Sequence, residues 1–347
     1  MLELGPVAGV SILGSGAAFP AQQLSNRQVL ERLGHLYWRA ESLTDERLEF
    51  LASALQESMG VASRAWAHTP GAPFEHATEE STLTLAVRAA RAAVSDAGAP
   101  RIGLVICSTS TPYRMTSTTS AVIGAELGID AACMDLRTGC SAGVFALATA
   151  ALYVQATGLP VLIVGTETFS KVLPTGHKGA VMSLADGAGA VVFGPGPGSM
   201  LAAALGTDGN LAHLVNTPGA LPATSADIAA GAFTLAGAPE ELAAELPSKY
   251  FAAVQSSLAR AGLRGADITH YVPHQTSATL IRKVAEQAGI ADDSLFINVE
   301  RHGNIGAAGW LVALHEARSE RSMRAGDTLL VAAVGGGMSW ASALLRL

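Results

Sequence analysis

Cys140 is the side chain in this chain best set for covalent chemistry. It sits in Arg137-Thr138-Gly139-Cys140-Ser141-Ala142-Gly143, after a short apolar run over 131–136 and before a long apolar helical stretch. A second segment, Arg301-His302-Gly303-Asn304-Ile305-Gly306-Ala307, repeats that setting after the apolar run 295–299, without the thiol. Strand, sharp glycine turn and helix bring one side chain to a helix N-terminus, where the backbone dipole favours negative charge. A thiol held there is expected to have a depressed pKa and to be partly thiolate at neutral pH. A duplication offering a nucleophile in one half and an amide in the other, at equivalent turns, implies one active site between two related halves.

Two further segments carry chemistry. Tyr271-Val272-Pro273-His274-Gln275 puts a histidine at the end of an apolar strand, one helix and one strand before Asn304, so both can reach the same sheet edge. Val334-Gly335-Gly336-Gly337-Met338 follows another strand, and consecutive glycines let backbone N–H groups approach a ligand closely. Cys140 can then attack an acyl thioester, exchanging one thioester for another at little free-energy cost. The N–H of Cys140 and one from the 335–337 run would hold the oxyanion. His274 and Asn304 could donate to a second thioester carbonyl and stabilise an enolate. A protease would instead need the histidine as a base, and Asn304 fits either chemistry. An acyltransferase, in which an alcohol or amine attacks acyl-Cys140, is a rival, and so is an inactive partner subunit.

Each residue also has a plainer reading. A free cysteine is often a small core residue, and Cys107 and Cys133, in strand-like apolar runs, are read that way. Asn304 could serve as a helix N-cap as well as a donor. His302 is read as structural, and Asp186-Gly187-Ala188-Gly189 as a tight turn supporting the site. Gly14-Ser15-Gly16 lacks a phosphate loop's third glycine, since Phe19 stands there, and no lysine follows.

The elements that must position these groups alternate strand and helix, which reads as an α/β fold with largely buried strands. In the first half, strands are expected over 7–13, 103–108, around Met134, 161–166 and 188–193, with helices over 79–97, 121–127 and from Cys140 to about 157. After the Gly/Pro-rich 194–198 the order recurs: helix 239–261, strand 270–273, helix 278–288, a strand ending at Val299, a helix at Asn304, and strands 328–334 and 339–345. A period of about 165 residues suits a duplicated domain and not a solenoid. The halves are divided as 1–195, with Cys140, and 196–347, with His274, Asn304 and the glycine loop. Residues 22–59 and 209–231 are least regular and read as insertions near a site mouth or interface.

Composition narrows the class. With 49% apolar and 15% charged residues, 347 residues can bury a large core. A net charge of −7 and 5% aromatics argue against nucleic-acid binding. No basic region precedes an apolar segment at the N-terminus, so no signal peptide is expected, and no uninterrupted apolar run suggests a membrane span. Three cysteines without CxxC or other metal-ligand spacing point to free thiols in a reducing, cytoplasmic setting and to no metal site.

Taken together, Gly139-Cys140-Ser141-Ala142-Gly143, Ser183-Leu184-Ala185-Asp186-Gly187-Ala188-Gly189-Ala190, Val272-Pro273-His274-Gln275, Arg301-His302-Gly303-Asn304 and Gly335-Gly336-Gly337-Met338-Ser339-Trp340 resemble, in order and spacing, the β-ketoacyl-acyl-carrier-protein synthase III family of the thiolase superfamily. The resemblance covers nearly the whole chain. It implies a duplicated, five-layer αβαβα fold and a homodimer. It also implies an acyl-Cys140 intermediate, His274 and Asn304 assisting decarboxylation of a malonyl thioester, and oxyanion donors at Cys140 and Gly336. No tightly bound cofactor is implied; acyl and extender groups arrive as phosphopantetheine thioesters on carrier protein or coenzyme A. The stretch 113–117, with Arg114, Met115 and Thr116, resembles the segment that crosses the dimer to close the partner's acyl pocket, and Met115 stands where primer-synthesising members carry Phe.

The chain also departs from those members. They hold the coenzyme A adenine between a Trp and an Arg just before a Gly-Ile turn; here the turn is Gly60-Val61 and the equivalent positions are Ala54 and Ser58. Lys178 keeps a positive charge where the family places a phosphate-contacting Arg. The docking Arg five residues after the histidine is Thr279, with Arg282 and Lys283 nearby. These departures favour a specialised ketosynthase joining carrier-bound (β-keto)acyl chains in polyketide or related assembly over acetyl-CoA priming of fatty-acid synthesis.

Overall fold

A single 22-residue strand, Asp186–Thr207, belongs to both halves of the sheet. The computed structural model describes residues 1–38, 43–73, 80–174 and 177–347. In chain order the first half holds β1 (Leu2–Leu4), β2 (Val7–Ala18), β3 (Gln23–Ser25), α1 (Asn26–Trp38), α2 (Asp45–Met59), β4 (Ser63–Ala65), α3 (Thr82–Asp96), β5 (Leu104–Ser108), α4 (Thr119–Leu127), β6 (Ala132–Leu136), α5 (Ala142–Thr157), β7 (Val161–Thr168) and α6 (Lys178–Ser183). The shared strand is β8. After it come β9 (Val215–Asn216), α7 (Ser225–Ala229), β10 (Ala236–Gly237), α8 (Pro239–Ala261), β11 (His270–Pro273), α9 (Ala278–Ala288), α10 (Val299–His302), α11 (Gly309–Glu320), β12 (Thr328–Gly335) and β13 (Ser339–Arg346).

The large sheet runs β11-β12-β13-β8-β7-β5-β6, with β1 and β2 also on β8. The first part of β8 lies between β7 and β2, and its second part between β13 and β1. Each half therefore repeats one pattern: two parallel strands, then an antiparallel pair ending on β8. The match lapses at one strand. Where the first half has β6 beside β5, the second has a lone bridge between Tyr271 and Leu295. The strand expected to end at Val299 is absent because the Gln275 side chain takes the N–H groups of Asn298 (2.9 Å) and Val299 (3.1 Å), and α10 starts there.

Side chains alternate across these strands and separate five layers. Ile106 and Ile163 of one half, and Leu329, Val331 and Ala343 of the other, face a central layer made by Val144, Leu147 and Ala148 of α5 and Trp310 and Leu314 of α11. Val105, Leu162, Val164 and Val192 face outward onto Leu85, Ala86 and Ala89 of α3. Leu330, Ala332 and Leu344 face Tyr250 and Val254 of α8 and Ile281 and Val284 of α9. The order helix, sheet, helix, sheet, helix is the layered arrangement the resemblance implied.

Several expected elements change. The 194–198 run lies inside β8 and is not a break. Asp186 opens that strand and is not in a tight turn. Gly14-Ser15-Gly16 lies within β2, and a Cβ on Gly14 would come 2.5 Å from the Ala93 carbonyl, so glycine there serves close packing on α3. The helix expected over 79–97 begins at Thr82 behind the Ser81 cap; residue 79 is outside the described residues. The 22–59 stretch, except its undescribed residues 39–42, holds α1 and α2, whose Val29, Leu30, Leu48 and Leu51 pack with Trp66 and Val181 as a satellite core. One described helix, over 139–157, is long and apolar enough to cross a membrane, where none was expected. Its apolar residues fill the central layer, which accounts for that composition.

Candidate active site

The Cys140 turn is built by glycine and serine. Gly139 has φ 56°, a conformation costly for any side chain with a Cβ. It turns the chain out of β6, and the helix begins at Ala142 behind Ser141. The Ser141 hydroxyl donates to the Thr138 carbonyl (2.9 Å) and to the Ser339 hydroxyl (2.8 Å), and Ser339 donates to the Thr138 carbonyl (2.5 Å). A Cβ on Gly335 would fall 2.6 Å from the Cys140 nitrogen, and one on Gly139 2.9 Å from the Gly336 carbonyl. Only glycines allow the two turns to close on each other.

The backbone N–H groups of Cys140 and Gly336 lie near enough to the Cys140 sulfur to favour its charged form. The depressed thiol pKa expected from the sequence is not found. Burial pushes it up to about 12, with the carboxyl of Glu167 adding to the rise and the two N–H groups opposing it. Cys140 therefore rests as a thiol.

His274 follows β11, where its N–H donates to the Ala332 carbonyl at 2.7 Å. The Tyr250 hydroxyl holds the same corner, bonding the carbonyls of His274 (3.1 Å) and Ala332 (3.2 Å). The imidazole is fully buried, and neither ring nitrogen has a hydrogen-bond partner among the described residues. Burial lowers its pKa to about 3, so it is neutral at neutral pH, with one N–H to donate. Gly309, first residue of α11, packs against the ring: a Cβ there would sit 2.8 Å from Nδ1.

Asn304 does not cap a helix. It lies in an extended pairing, its N–H donating to the Ser183 carbonyl (2.8 Å) and its carbonyl accepting from Ala185 (2.9 Å). Its Oδ1 accepts from the Gly306 N–H at 3.0 Å, which fixes the amide and leaves Nδ2 as the donating end. The 306–308 turn and only then α11 follow.

Cys140, His274, Asn304 and Gly336 line one cavity of about 490 Å³. Its other walls are mostly apolar, among them Phe169, Leu184, Leu214, Val215, Leu235 and Leu242. The irregular stretch over 209–231 thus supplies part of the wall. The remaining expected residues lie elsewhere. Met115 is 70% exposed, Arg114 and Thr116 are exposed beside it, and none lines this cavity. Lys178 starts α6 between the lining residues His177 and Gly179. Arg282 and Lys283 are exposed on α9, Arg282 3.8 Å from Asp292. His302 is structural, stacked on Phe19 at 4.4 Å and 2.6 Å from Glu316. Cys107 is buried and Cys133 half-buried against the same outer core.

Sequence reasoning missed three supporting residues. Gln275 fixes the backbone before α10, and the buried Arg64 donates to the Met182 carbonyl at 2.9 Å, beside the segment paired with Asn304. Glu167 is the third, and its signal was visible: an acid at the end of an otherwise apolar strand.

Comparison with known proteins agrees with this geometry. The profile of 3-oxoacyl-[acyl-carrier-protein] synthase III matches residues 134–209, and that of its C-terminal region residues 258–347. The β-ketoacyl-[acyl-carrier-protein] synthase III of Rhodobacter capsulatus is 32% identical over 278 residues, covering 77% of this chain and 84% of that protein. The crystal structure of 3-oxoacyl-(acyl carrier protein) synthase III from Pseudomonas aeruginosa superposes with TM-score 0.83 at 26% identity, covering 97% of this chain and 98% of the other. A priming β-ketosynthase of a polyketide biosynthetic pathway gives 0.84 at 26%, covering 99% and 98%. By identity and coverage, this chain belongs to the β-ketoacyl-acyl-carrier-protein synthase III family of condensing acyltransferases, enzymes of the duplicated thiolase-like fold.

Proposed function

We propose that Cys140 accepts an acyl group and that the chain condenses it with a second carrier-bound thioester, a malonyl or β-ketoacyl group, in polyketide or related assembly. The donor thioester is attacked by Cys140, its carbon–sulfur bond breaks, and the leaving thiol takes the proton. The second thioester then forms an enolate, by loss of CO₂ from a malonyl group or by loss of the C2 proton to solvent from a β-ketoacyl group. The enolate carbon bonds to the acyl carbon, the bond to the Cys140 sulfur breaks, and the departing thiolate takes up a proton from solvent. His274 and Asn304 Nδ2 donate to the enolate oxygen, while the N–H groups of Cys140 and Gly336 hold the oxyanion. The observation that carries this reading is the convergence of one thiol and two neutral donors on a single cavity.

Carrier protein is favoured over coenzyme A by the α2 face beside the Gly60 turn. Ala54 is half-buried and Ser58 exposed there, and the adjacent concavity of about 420 Å³ is lined by Ser53, Gln56, Glu57, Gly60 and Glu300. Its described lining has two carboxylates and neither an aromatic ring nor a guanidinium, which suits neither an adenine nor its phosphates. Arg282 and Lys283 on α9, with Lys178 near the cavity, provide basic groups for an acidic carrier and its phosphopantetheine. On this reading no tightly bound cofactor is needed, and three free thiols suit a reducing, cytoplasmic setting. The exposed Arg114, Met115 and Thr116 reach the pocket of a second copy in a homodimer whose two halves each join residues 1–195 to 196–347.

Intact-mass analysis of Cys140 acylation tests the donor. The same acyl groups are offered on carrier protein and on coenzyme A. Acylation from carrier protein should be faster by roughly tenfold or more, the scale of a lost specific contact. Equal rates would refute carrier preference, and faster acylation from acetyl-CoA would make the chain a primer synthase.

A further inference from the structure

Glu167 is a fully buried carboxyl at the end of β7. It accepts from the Thr111 hydroxyl at 2.7 Å, from the Ser110 N–H at 3.0 and 3.1 Å, and from the Thr109 hydroxyl at 3.4 Å. All three donors belong to the turn after β5, which leads into the exposed 113–117 stretch. On its other side Oε1 receives the Ala307 N–H at 3.5 Å, from the turn that follows Asn304. A Cβ on Gly306 would lie 3.1 Å from Glu167 Cγ, so that turn packs directly on the carboxyl's stem. Its hydrogen-bond partners among the described residues are hydroxyls and amides, with no cation among them.

We propose that Glu167 is a positioning residue for the condensation: its carboxyl ties the 109–111 turn to the 306–308 turn, whose Gly306 N–H fixes the Asn304 amide. Its charge also disfavours ionisation of Cys140, adding to the larger effect of burial. Burial raises the carboxyl itself to about 7, against the opposing bonds from Thr111, Ser110, Ala307 and Thr109, so its charge changes near neutral pH. The titratable groups that feel this charge are Cys140 and, from β5, Cys107, on which Asp135 of β6 also acts. From β8 the residue opposite is Gly187, and the 306–308 turn offers only amides.

The inference rests on Cys140 being the nucleophile, and its test reads the thiol apart from carrier chemistry. Glu167→Gln keeps the shape and removes the charge. Alkylation of Cys140 by iodoacetamide, followed by intact mass against pH, should speed up several-fold above about pH 8, where the wild-type carboxyl is charged, and converge with the wild type below about pH 6, where it is protonated. Condensation should slow about tenfold with KM unchanged, because Gln offers one acceptor fewer to the two turns. Thr111→Val removes the shortest bond without touching the charge-bearing residue; it should move both rates in the same two directions with smaller amplitude, and covers the case that Glu167→Gln does not fold. Opposed movement of the two rates supports the proposal. A parallel fall, or no change in alkylation, overturns it. Failure of the wild-type enzyme to accept any acyl group would sink the proposed function and leave the alkylation shift still measurable.

Discussion

The hydroxyl of Ser141 donates to the hydroxyl of Ser339 at 2.8 Å, joining residues from opposite halves of the chain directly behind Cys140. With the Ser339 bond to the Thr138 carbonyl, it locks the cysteine turn to the glycine loop, for which we propose the second oxyanion donor. Ser339→Ala leaves Ser141 its bond to Thr138. The variant should lose about 1 kcal/mol of stability and, through looser alignment, about tenfold in acylation rate. Thermal melting and Cys140 acylation by intact mass check the pair, and an unchanged acylation rate counts against the lock.

Gly335 faces a harder limit, because the added methyl would meet backbone. With a Cβ 2.6 Å from the Cys140 nitrogen, Gly335→Ala must push one turn away from the other. Losing one oxyanion donor's alignment costs roughly a hundredfold or more in rate. Stopped-flow release of the donor thiol should show that loss, and wild-type kinetics would mean the loop does not hold the oxyanion.

Gly309→Ala should separate the two chemical steps. Its methyl would lie 2.8 Å from His274 Nδ1 and would turn the imidazole without touching Cys140. Acylation should persist near the wild-type rate while condensation falls about tenfold or more. Equal losses in both steps would place His274 in acyl transfer instead.

The pH dependence of stability carries the sign of a buried neutral histidine. The unfolded chain protonates His274 near the ordinary value of 6.5, and the folded chain only near 3. Between these values the unfolded state binds more protons, so this residue's contribution rises with pH and is lost as pH falls through the window. Glu167 and Asp186, raised by burial to about 7 and about 6, act in the opposite sense: the folded state binds more protons, so their contribution falls as pH rises toward those values. The wild-type slope is therefore a small difference, and the His274 part is isolated by mutation. Relative to the wild type, His274→Asn should gain stability progressively as pH drops below 6.5 in denaturant titrations. A constant difference between the two proteins across pH would contradict a neutral His274.

Much of this was legible because period and turn chemistry act locally. The apolar strands around Ile106, Ile163 and Val331 and the glycine turns at Gly139 and Gly303 announce themselves within a few residues, and Cys140, His274 and Asn304 follow from them. What escaped depends on long-range burial. The thiol of Cys140 looks activated by its helix in the sequence, yet enclosure and Glu167, 27 residues on, reverse its pKa. Asn304 looks like a helix cap, yet its backbone pairs with Ser183 and Ala185, which no local pattern shows. The 194–198 run reads as a break, but β2 pairs with Gly194 and Pro195 and, past a bulge, with Ser199, so β8 runs through it.

The central claim is that a thiol from one half and two donors from the other act on common thioesters. Intact-mass analysis of Cys140 in the Asn304→Ala variant, with product formation followed in parallel, tests it most directly. The account predicts full acylation of Cys140 and a fall in condensation of roughly a hundredfold or more. Condensation at the wild-type rate, or an acyl mass still gained after Cys140→Ala, would contradict it.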